Sequence, residues 1–509
     1  MNTRAFSDQS RRLARNFSWL TLQEVLIRLI GLVTAIYLAR TLTAADYGAL
    51  GLALAIVSFA AVLVRAGTGS RGTRLTARDP AAVPLIYAQV NGLRLAAVTV
   101  ILALLVGFSG VIAPAFSISP ALLSLCALLL LPQALTVAWA FRGLDDMRVT
   151  AVADIAEKAL TLLALLWLVR GVGNDVLWAP VAEAAAGLLV IAWMYRRLAR
   201  LYPGLRLRFR VRDWPEIARE ALPLGLASLL GSVYLDGGVL LLGWLAGAGA
   251  AAMFLVAQKV MLTLAILLQV INQAAFPSAS RLVHEDLPAA LALATQLLRY
   301  YLVMIIPVFL LVAFRAGCLL VLVLGPAYAE AAKVLIVLLA ALPFLVISNS
   351  LQLLLMALPR PAAVLAARIG GAAVLLSLGL FLIPRTGVTG AAVALAAGEV
   401  ASTAALFLFV FRATGGLPWD RRCFAPLAAG AAAALAYAAV QAWPIFLKLP
   451  LAAAIYLVLV VLLAGVKPGE LRSIPLLLLG VIRGEGSPQQ RQQDAGVKPA
   501  AEDLPEHQP

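Results

Sequence analysis

Residues 17–39, FSWLTLQEVLIRLIGLVTAIYLA, decide the class of fold. Arg4, Arg11, Arg12 and Arg15 precede the run, which gives it the outline of a secretory leader. The apolar core of such a leader is about 7–15 residues long, whereas this run has about 23 and carries Glu24 and Arg28 inside it. At 1.5 Å per residue it is long enough to cross a hydrocarbon layer about 30 Å thick. The sequence therefore predicts an uncleaved first transmembrane helix.

Working outward, runs of crossing length recur about fourteen times, near 17–39, 47–64, 84–107, 120–141, 150–169, 176–195, 221–244, 251–275, 297–314, 334–356, 362–383, 388–411, 424–443 and 449–466. Composition agrees: 63% of the 509 residues are hydrophobic and 13% charged, against about 45–50% and about 25% in a soluble globular chain. The expected fold class is an all-α polytopic membrane protein. Loop charge tests the count. With the N-terminus inside, 29 of the 40 Lys and Arg residues fall in cytoplasmic segments (Arg299, at the inner end of span 297–314, counted with its loop), five fall deeper within spans, and six (Arg40, Arg170, Arg315, Lys333, Arg385, Lys448) lie on the opposite side. This is the positive-inside bias, and one missed helix would invert it downstream. It places both termini in the cytoplasm. The net charge of +15 then reflects topology and anionic lipid headgroups, not a nucleic-acid partner.

Several chemistries are excluded. Cys126, Cys318 and Cys423 are far apart, and His284 and His507 stand alone, so neither a disulfide framework nor a metal or His-based acid–base centre can be assembled. No phosphate-binding glycine motif for a nucleotide is present, and no cofactor is expected. Trp19, Trp139, Trp178 and Trp443 at span ends read as interface anchors, with Trp214 anchoring the basic linker. Pro132, Pro223, Pro307 and Pro343 fall within spans, where they would kink the helices.

The basic linker, Arg196 to Arg219, divides the first twelve spans into two sets of six. WLVRGVGNDVLWAPVAEAAAGLLV (167–190) parallels FLIPRTGVTGAAVALAAGEVASTAALF (381–407), with Arg170 opposite Arg385 and Glu183 opposite Glu399. Six is even, so both sets enter from the same side and the repeat axis runs along the membrane normal. The expected organisation is a cytoplasmic basic N-terminus (1–16), a six-helix bundle (17–196), the linker (197–220), a second six-helix bundle (221–412), an appended helix pair (413–466) and a cytoplasmic tail (467–509), disordered from about residue 484. Two bundles that rock about a central cleft are a transporter's architecture.

Apart from Arg299 at the inner end of its span, eleven ionisable residues fall inside the spans: Glu24, Arg28, Arg94, Asp154, Glu157, Lys158, Glu183, Asp236, Lys259, Arg368 and Glu399. Turned to lipid at about 2.5–3.5 kcal/mol each, they would cost roughly 30 kcal/mol. Net stabilities are about 5–15 kcal/mol. Most must face protein, water or the interface. Glu24 and Arg28 are spaced i,i+4 and either form a structural pair or face a cleft together. Asp154, Glu157, Lys158 and Arg368 lie nearer the inner surface and are expected to snorkel. Arg94 and Lys259 are too deep for that and are expected to face the cleft. Asp236 is flanked by glycines that let another group approach. The five cations and six anions nearly cancel.

Four runs carry a family resemblance: YLARTLTAADYGALGLALAI (37–56), YLDGGVLLLGWLAGAGAAAMFLVAQKVM (234–261), AAFPSASRL (274–282) and LGPAYAEAAKVL (324–335). In order and spacing they resemble bacterial polysaccharide flippases of the multidrug/oligosaccharidyl-lipid/polysaccharide (MOP) exporter superfamily, over about residues 10–465. The resemblance implies a MATE-like fold and an undecaprenyl-pyrophosphate-linked oligosaccharide moved across the cell inner membrane by alternating access. It implies no enzymatic activity. Arg28, Arg94 and Lys259 would be the phosphate-facing cations, and Glu24, Asp154 and Asp236 their partners or ion-coupling carboxylates. Membrane lipids and a glycan polymerase are the implied partners of a monomer. Two readings from the same superfamily compete, a MATE-type drug or cation antiporter and a lipid II flippase. A glycan polymerase would need catalytic groups outside, where the longest loop, Arg315–Lys333, has Glu330 as its one acid.

Overall fold

The computed structural model describes residues 3–171, 173, 175–265, 275, 279–440 and 444–464, without the side chains of 3–18, 21, 222–224, 227, 235, 445, 446 and 464. The expected tail, the Phe-Pro pair at 276–277, Trp443, and the side chains of Pro223 and the N-terminal arginines lie outside the described residues. Among the described residues the chain is mostly helical, with irregular links such as 202–210, and has no strand.

The first two helices, α1 (Thr3–Thr41) and α2 (Ala44–Arg65), are joined by a tight turn that Thr43 caps. Its hydroxyl accepts the Asp46 amide at 3.1 Å and donates to the Asp46 carboxylate at 2.7 Å. The cap satisfies a donor that would otherwise be orphaned at the helix start. α2 ends at Ala66 and Gly67, both left-handed, and the chain turns directly into α3 (Thr68–Arg78). After α4 (Val83–Gly107) and the short α5 (Ser109–Ala115), the expected span 120–141 is three pieces: α6 (Pro120–Ala127), α7 (Leu130–Leu135) and α8 (Ala138–Gly143). Thr136, at ψ 136°, breaks the last two apart and frees the carbonyls of Leu135 and Thr136. Asn91 of α4 donates to both, at 3.2 and 3.5 Å.

α9 (Met147–Leu168) and α10 (Trp178–Leu201) pack as a pair, and α9 also lies against α1. α11 (Trp214–Leu264) contains both expected spans 221–244 and 251–275 as far as it is described. It folds back at Gly247, where φ is 82° and ψ 178°, so that a Cβ at Gly238 would meet the Phe254 ring at 3.7 Å. Such a φ favours glycine. Then come α12 (Leu287–Phe314), α13 (Ala316–Leu324), α14 (Ala331–Ala340) and α15 (Leu342–Ala357); the last two are one expected span broken before Pro343. Pro307, by contrast, sits inside a continuous α12. α16 (Pro361–Thr386) and α17 (Val388–Thr414) likewise pack as a pair, over a longer contact than α9 and α10 make. α18 (Phe424–Ala439) and α19 (Ile445–Ala464) pack on each other and on α12, where the Tyr456 hydroxyl donates to the Val303 carbonyl at 2.8 Å.

Eleven helical stretches among the described residues are long and apolar enough to cross a membrane, and Leu447–Leu463 is a shorter apolar one. The chain is a multi-pass membrane protein. The expected count of about fourteen is not reached by this measure. The stretch 150–169 is helical but too charged, holding Asp154, Glu157 and Lys158, and 221–244 includes undescribed side chains.

The two ends of the molecule differ. At the end of the α1–α2 turn, α2 packs tightly on α11. A Cβ at Gly48 would stand 1.9 Å from the Ala248 carbonyl oxygen, one at Gly51 2.1 Å from Leu255, and one at Gly243 2.2 Å from Leu52. Glycine lets the backbones meet there. Arg40 adds a tie: its Nε donates to the Val323 carbonyl at 2.6 Å and its Nη2 to that of Leu322, so it caps the C-terminus of α13. Tyr47 meets Tyr328 edge-on with ring centroids 6.3 Å apart. This is the end that the loop charges lead one to expect outside the cytoplasm.

Candidate functional site

Two adjoining cavities open among these helices. The larger, about 800 Å³, lies within α2, α3, α4, α7–α10 and touches α11 through Ser228. The smaller, about 640 Å³, lies between α1, α2, α9 and α10 on one side and α11 on the other. Leu54, Ser58, Lys158 and Glu183 line both, so the two share a wall. The expected cleft between two equal bundles is therefore lopsided: the first ten helices supply most of its surface, and the second half of the chain supplies α11 alone.

All six residues singled out from the sequence border these cavities. Arg94 and Asp154 line the larger; Glu24, Arg28, Asp236 and Lys259 line the smaller. Glu24 and Arg28 pair at 2.8 Å along one face of α1. Asp154 accepts from Gln23 Nε2 at 2.6 Å, which ties α9 to α1. Asp236 accepts from the Ser58 hydroxyl at 2.7 Å across the α2–α11 seam. Lys259 is exposed into the cavity, and among the described residues its ammonium makes neither a salt bridge nor a hydrogen bond. Arg94 is 2% exposed; its Nε donates to Thr68 Oγ1 at 2.8 Å and its Nη1 reaches the Thr136 carbonyl at 3.5 Å. The break at Thr136 thus supplies one of its acceptors.

Three expectations need correction. Glu157 and Lys158 do not snorkel along the inner surface: Lys158 bridges Glu157 at 3.4 Å and Glu183 at 2.7 Å, and all three line the larger cavity. Asp154 likewise faces that cavity. Arg368 does not snorkel either. It pairs with Glu399 at 3.1 Å and lies 4.8 Å from the Tyr234 ring centroid, away from both cavities. An available carboxylate on the neighbouring helix outcompetes a reach to the interface. Trp139 is no interface anchor, being 3% exposed with its indole N–H donating to Asn91 Oδ1 at 3.2 Å. Trp178 is 48% exposed, as an anchor would be.

The internal repeat has a counterpart in the pairs. Lys158 of α9 binds Glu183 of α10, and Arg368 of α16 binds Glu399 of α17, so each repeat joins its fifth and sixth helices by a cation and a carboxylate. The first pair is about one-third exposed and lines the cavity; the second is largely buried, with Glu399 also accepting from the hydroxyls of Ser348, at 2.6 Å, and Tyr234. Sequence reasoning missed Arg65 and Arg142, which line the larger cavity. Both stand at helix ends and count there as loop charge. It also missed Ser58, which carries no signal beyond being a polar residue in an apolar run.

Residues 13–283 match the sequence model of the family described as "Polysaccharide biosynthesis protein". No curated protein matches the chain in sequence. Among solved structures the chain is similar to the lipid II flippase MurJ in an inward closed conformation, with a TM-score of 0.73, 12% identity, and coverage of 86% of this chain and 97% of that one. It is also similar to a multidrug resistance MATE family transporter of the MOP superfamily. The inward-facing form gives a TM-score of 0.63 at 14% identity, covering 78% of this chain and 98% of that one. An outward-facing form gives 0.54 at 15%, covering 79% and 96%. At such identities the likeness is one of fold. The matched stretch spans more than half of the chain, from within α1 to beyond the fold-back of α11, and on it the chain belongs to the polysaccharide biosynthesis protein family, with a fold like that of MurJ and the MATE transporters.

Proposed function

We propose that this protein is a flippase for a lipid-linked oligosaccharide, of the undecaprenyl-pyrophosphate kind, carrying it from the cytoplasmic to the outer leaflet of the cell inner membrane for exopolysaccharide or O-antigen-type synthesis. The observation that carries the reading is a pair of adjoining, ion-lined cavities inside otherwise apolar helices, in a chain of the polysaccharide biosynthesis family. A sugar headgroup cannot enter hydrocarbon without losing its hydration, whereas a cavity lined by Ser58, Arg94, Gln133, Lys158 and Glu183 replaces that water with protein hydrogen bonds. The lipid tail stays in the bilayer. Rocking of the two halves about the α2–α11 seam exposes the cavity to each side in turn.

In this reading Arg94 and Lys259, which have no carboxylate contact among the described residues, face the headgroup phosphates together with Arg28. Glu24, Asp154 and Asp236 hold the cavity wall or couple an ion. The N-terminus is cytoplasmic, and a polymerase takes the product outside. The likeness to MurJ favours lipid II as the competing cargo, and the likeness to MATE transporters favours an organic cation. Reconstituted vesicles separate the three. Accelerated translocation of an undecaprenyl-pyrophosphate oligosaccharide, reduced by Arg94→Ala and by Lys259→Ala at equal expression, supports the reading. Transport of lipid II alone or of a fluorescent cation alone overturns it, as does unaltered oligosaccharide translocation in both variants.

A further inference from the structure

The linker between the two sets of helices carries chemistry that the cavities do not use. From Leu205 to Arg212 it reads LRLRFRVR, apolar and basic residues in strict alternation. Along an extended chain such alternation turns the two kinds of side chain to opposite sides. Both ends of the run are fixed to α4. Leu205 is buried in a cluster with Ile86 and Val90, and Asp213 accepts from Gln89 Nε2 at 2.8 Å and from Arg210 Nε at 3.0 Å. Between them the backbone itself is seated on the helix: a Cβ at Gly92 would stand 3.0 Å from the Arg208 carbonyl oxygen.

That seat sets the depth of the run. Gly92 lies about 22 Å along α4 from Gly107, its last residue, at about 1.5 Å per residue. In a hydrocarbon layer about 30 Å thick, the contact therefore falls near the layer's edge, not out in water. The side chains around it are open. Leu207, Phe209 and Val211 are 37%, 56% and 59% exposed. Arg206, Arg208 and Arg212 are exposed too, and among the described residues no salt bridge includes them. Arg196, Arg200 and Arg219 flank them in the same condition. Water suits the arginines but not Phe209 and Val211, and hydrocarbon does the reverse. The boundary between headgroups and acyl chains satisfies both sets.

We infer that residues 205–212 form an interfacial strap that binds the headgroups of anionic membrane lipids. Leu207, Phe209 and Val211 insert at the acyl boundary, and Arg206, Arg208 and Arg212 hold lipid phosphates above it. Charge decides for an anionic lipid over a zwitterionic one: each arginine without a carboxylate gains from a negative surface within a Debye length. The strap runs directly into α11, whose Asp236 and Lys259 line the smaller cavity. Lipid on the strap thereby holds the start of the helix on which both halves of the chain pack. Binding there does not depend on what the cavities carry.

The test uses the full-length protein with Cys318→Ser and Phe209→Cys, a fluorophore on the new cysteine, since Cys126 and Cys423 are buried. It is placed in nanodiscs of phosphatidylcholine with rising phosphatidylglycerol, part of the lipid carrying a nitroxide high on its acyl chain. Quenching should rise with the phosphatidylglycerol content and fall as salt is added. Arg208→Gln should raise the content needed for half-maximal quenching about fivefold, the about 1 kcal/mol that a basic residue contributes near an anionic surface. Arg206→Gln, Arg208→Gln and Arg212→Gln together, all at exposed positions, should leave the label unquenched. A label at Arg360, an exposed position outside the strap, should ignore all three changes. No quenching in any lipid, or quenching at Phe209→Cys that survives the triple change, overturns the strap. Equal quenching in pure phosphatidylcholine overturns the binding of anionic headgroups. Shielding of the label that arises only with two proteins in one nanodisc would assign the face to a second copy and overturn the lipid as its occupant.

Discussion

Replacing Arg368 by methionine isolates the dry ion pair of the second half. Glu399 is 4% exposed and takes three contacts: Arg368 at 3.1 Å and the hydroxyls of Ser348 and Tyr234. Methionine keeps most of the stem's packing and removes the charge. Glu399 would then be an anion in a low-dielectric interior with two neutral donors. Removing one member of such a pair costs about 3–5 kcal/mol, because the other is left buried without compensation. For a chain of this length that is a fall in midpoint of roughly 4–8 °C, scaling down the shift per kcal/mol seen in smaller domains. The readout is the unfolding midpoint in detergent at one fixed scan rate, since unfolding of such proteins is commonly irreversible. Adding Glu399→Gln to Arg368→Met removes the stranded charge and should restore at least half of the fall, a coupling of about 1.5 kcal/mol or more. A double variant as unstable as Arg368→Met, or an Arg368→Met protein as stable as the parent, would refute the reasoning.

Other perturbations follow from the same packing. Arg40→Ala removes two hydrogen bonds to the α13 carbonyls; discounted for their exposure, they are worth about 1 kcal/mol together, so the outward-open population should rise about fivefold, read as accessibility of a cysteine placed in the α1–α2 turn to an impermeant thiol reagent from outside. Unchanged accessibility would show that Arg40 does not hold that end shut. Gly48→Ala puts a methyl group where the Ala248 carbonyl oxygen lies 1.9 Å away and should force α2 off α11, lowering both midpoint and transport. Normal behaviour on both counts would mean the seam is looser than its geometry.

The sequence made the class of fold legible because a bilayer leaves two signals that do not depend on tertiary structure, run length and loop charge. Where the structure departs from the reading, local chemistry decided. The span 120–141 breaks at Thr136 because Asn91 and Arg94 reach in to take the freed carbonyls, and no window of hydropathy contains that. Depth along a helix identified Arg94 and Lys259 but misjudged Lys158 and Arg368, whose behaviour depends on carboxylates 25 and 31 residues further along the chain. The same limit hid Arg65 and Arg142. A charge at a helix end reads as topology unless the helix next to it is known to leave a cavity there. The repeat marked Glu183 and Glu399 as equivalent, but only packing distinguishes the partly exposed, cavity-lining pair from the buried one.

The most direct test of the account is thiol accessibility in the membrane, in a background with Cys318 replaced, the exposed cysteine of the three. Single cysteines at Arg65, Asp154, Asp236 and Lys259 should react with an impermeant reagent supplied from the cytoplasmic face, and prior incubation with lipid-linked oligosaccharide should protect them. Cysteines at Leu163 and Leu380, 62% and 52% exposed on outer helix faces, should not react. Silence at the four charged positions, with labelling at the two leucines, would mean that the ionisable side chains do not line a hydrated cavity, and the account would fail with it.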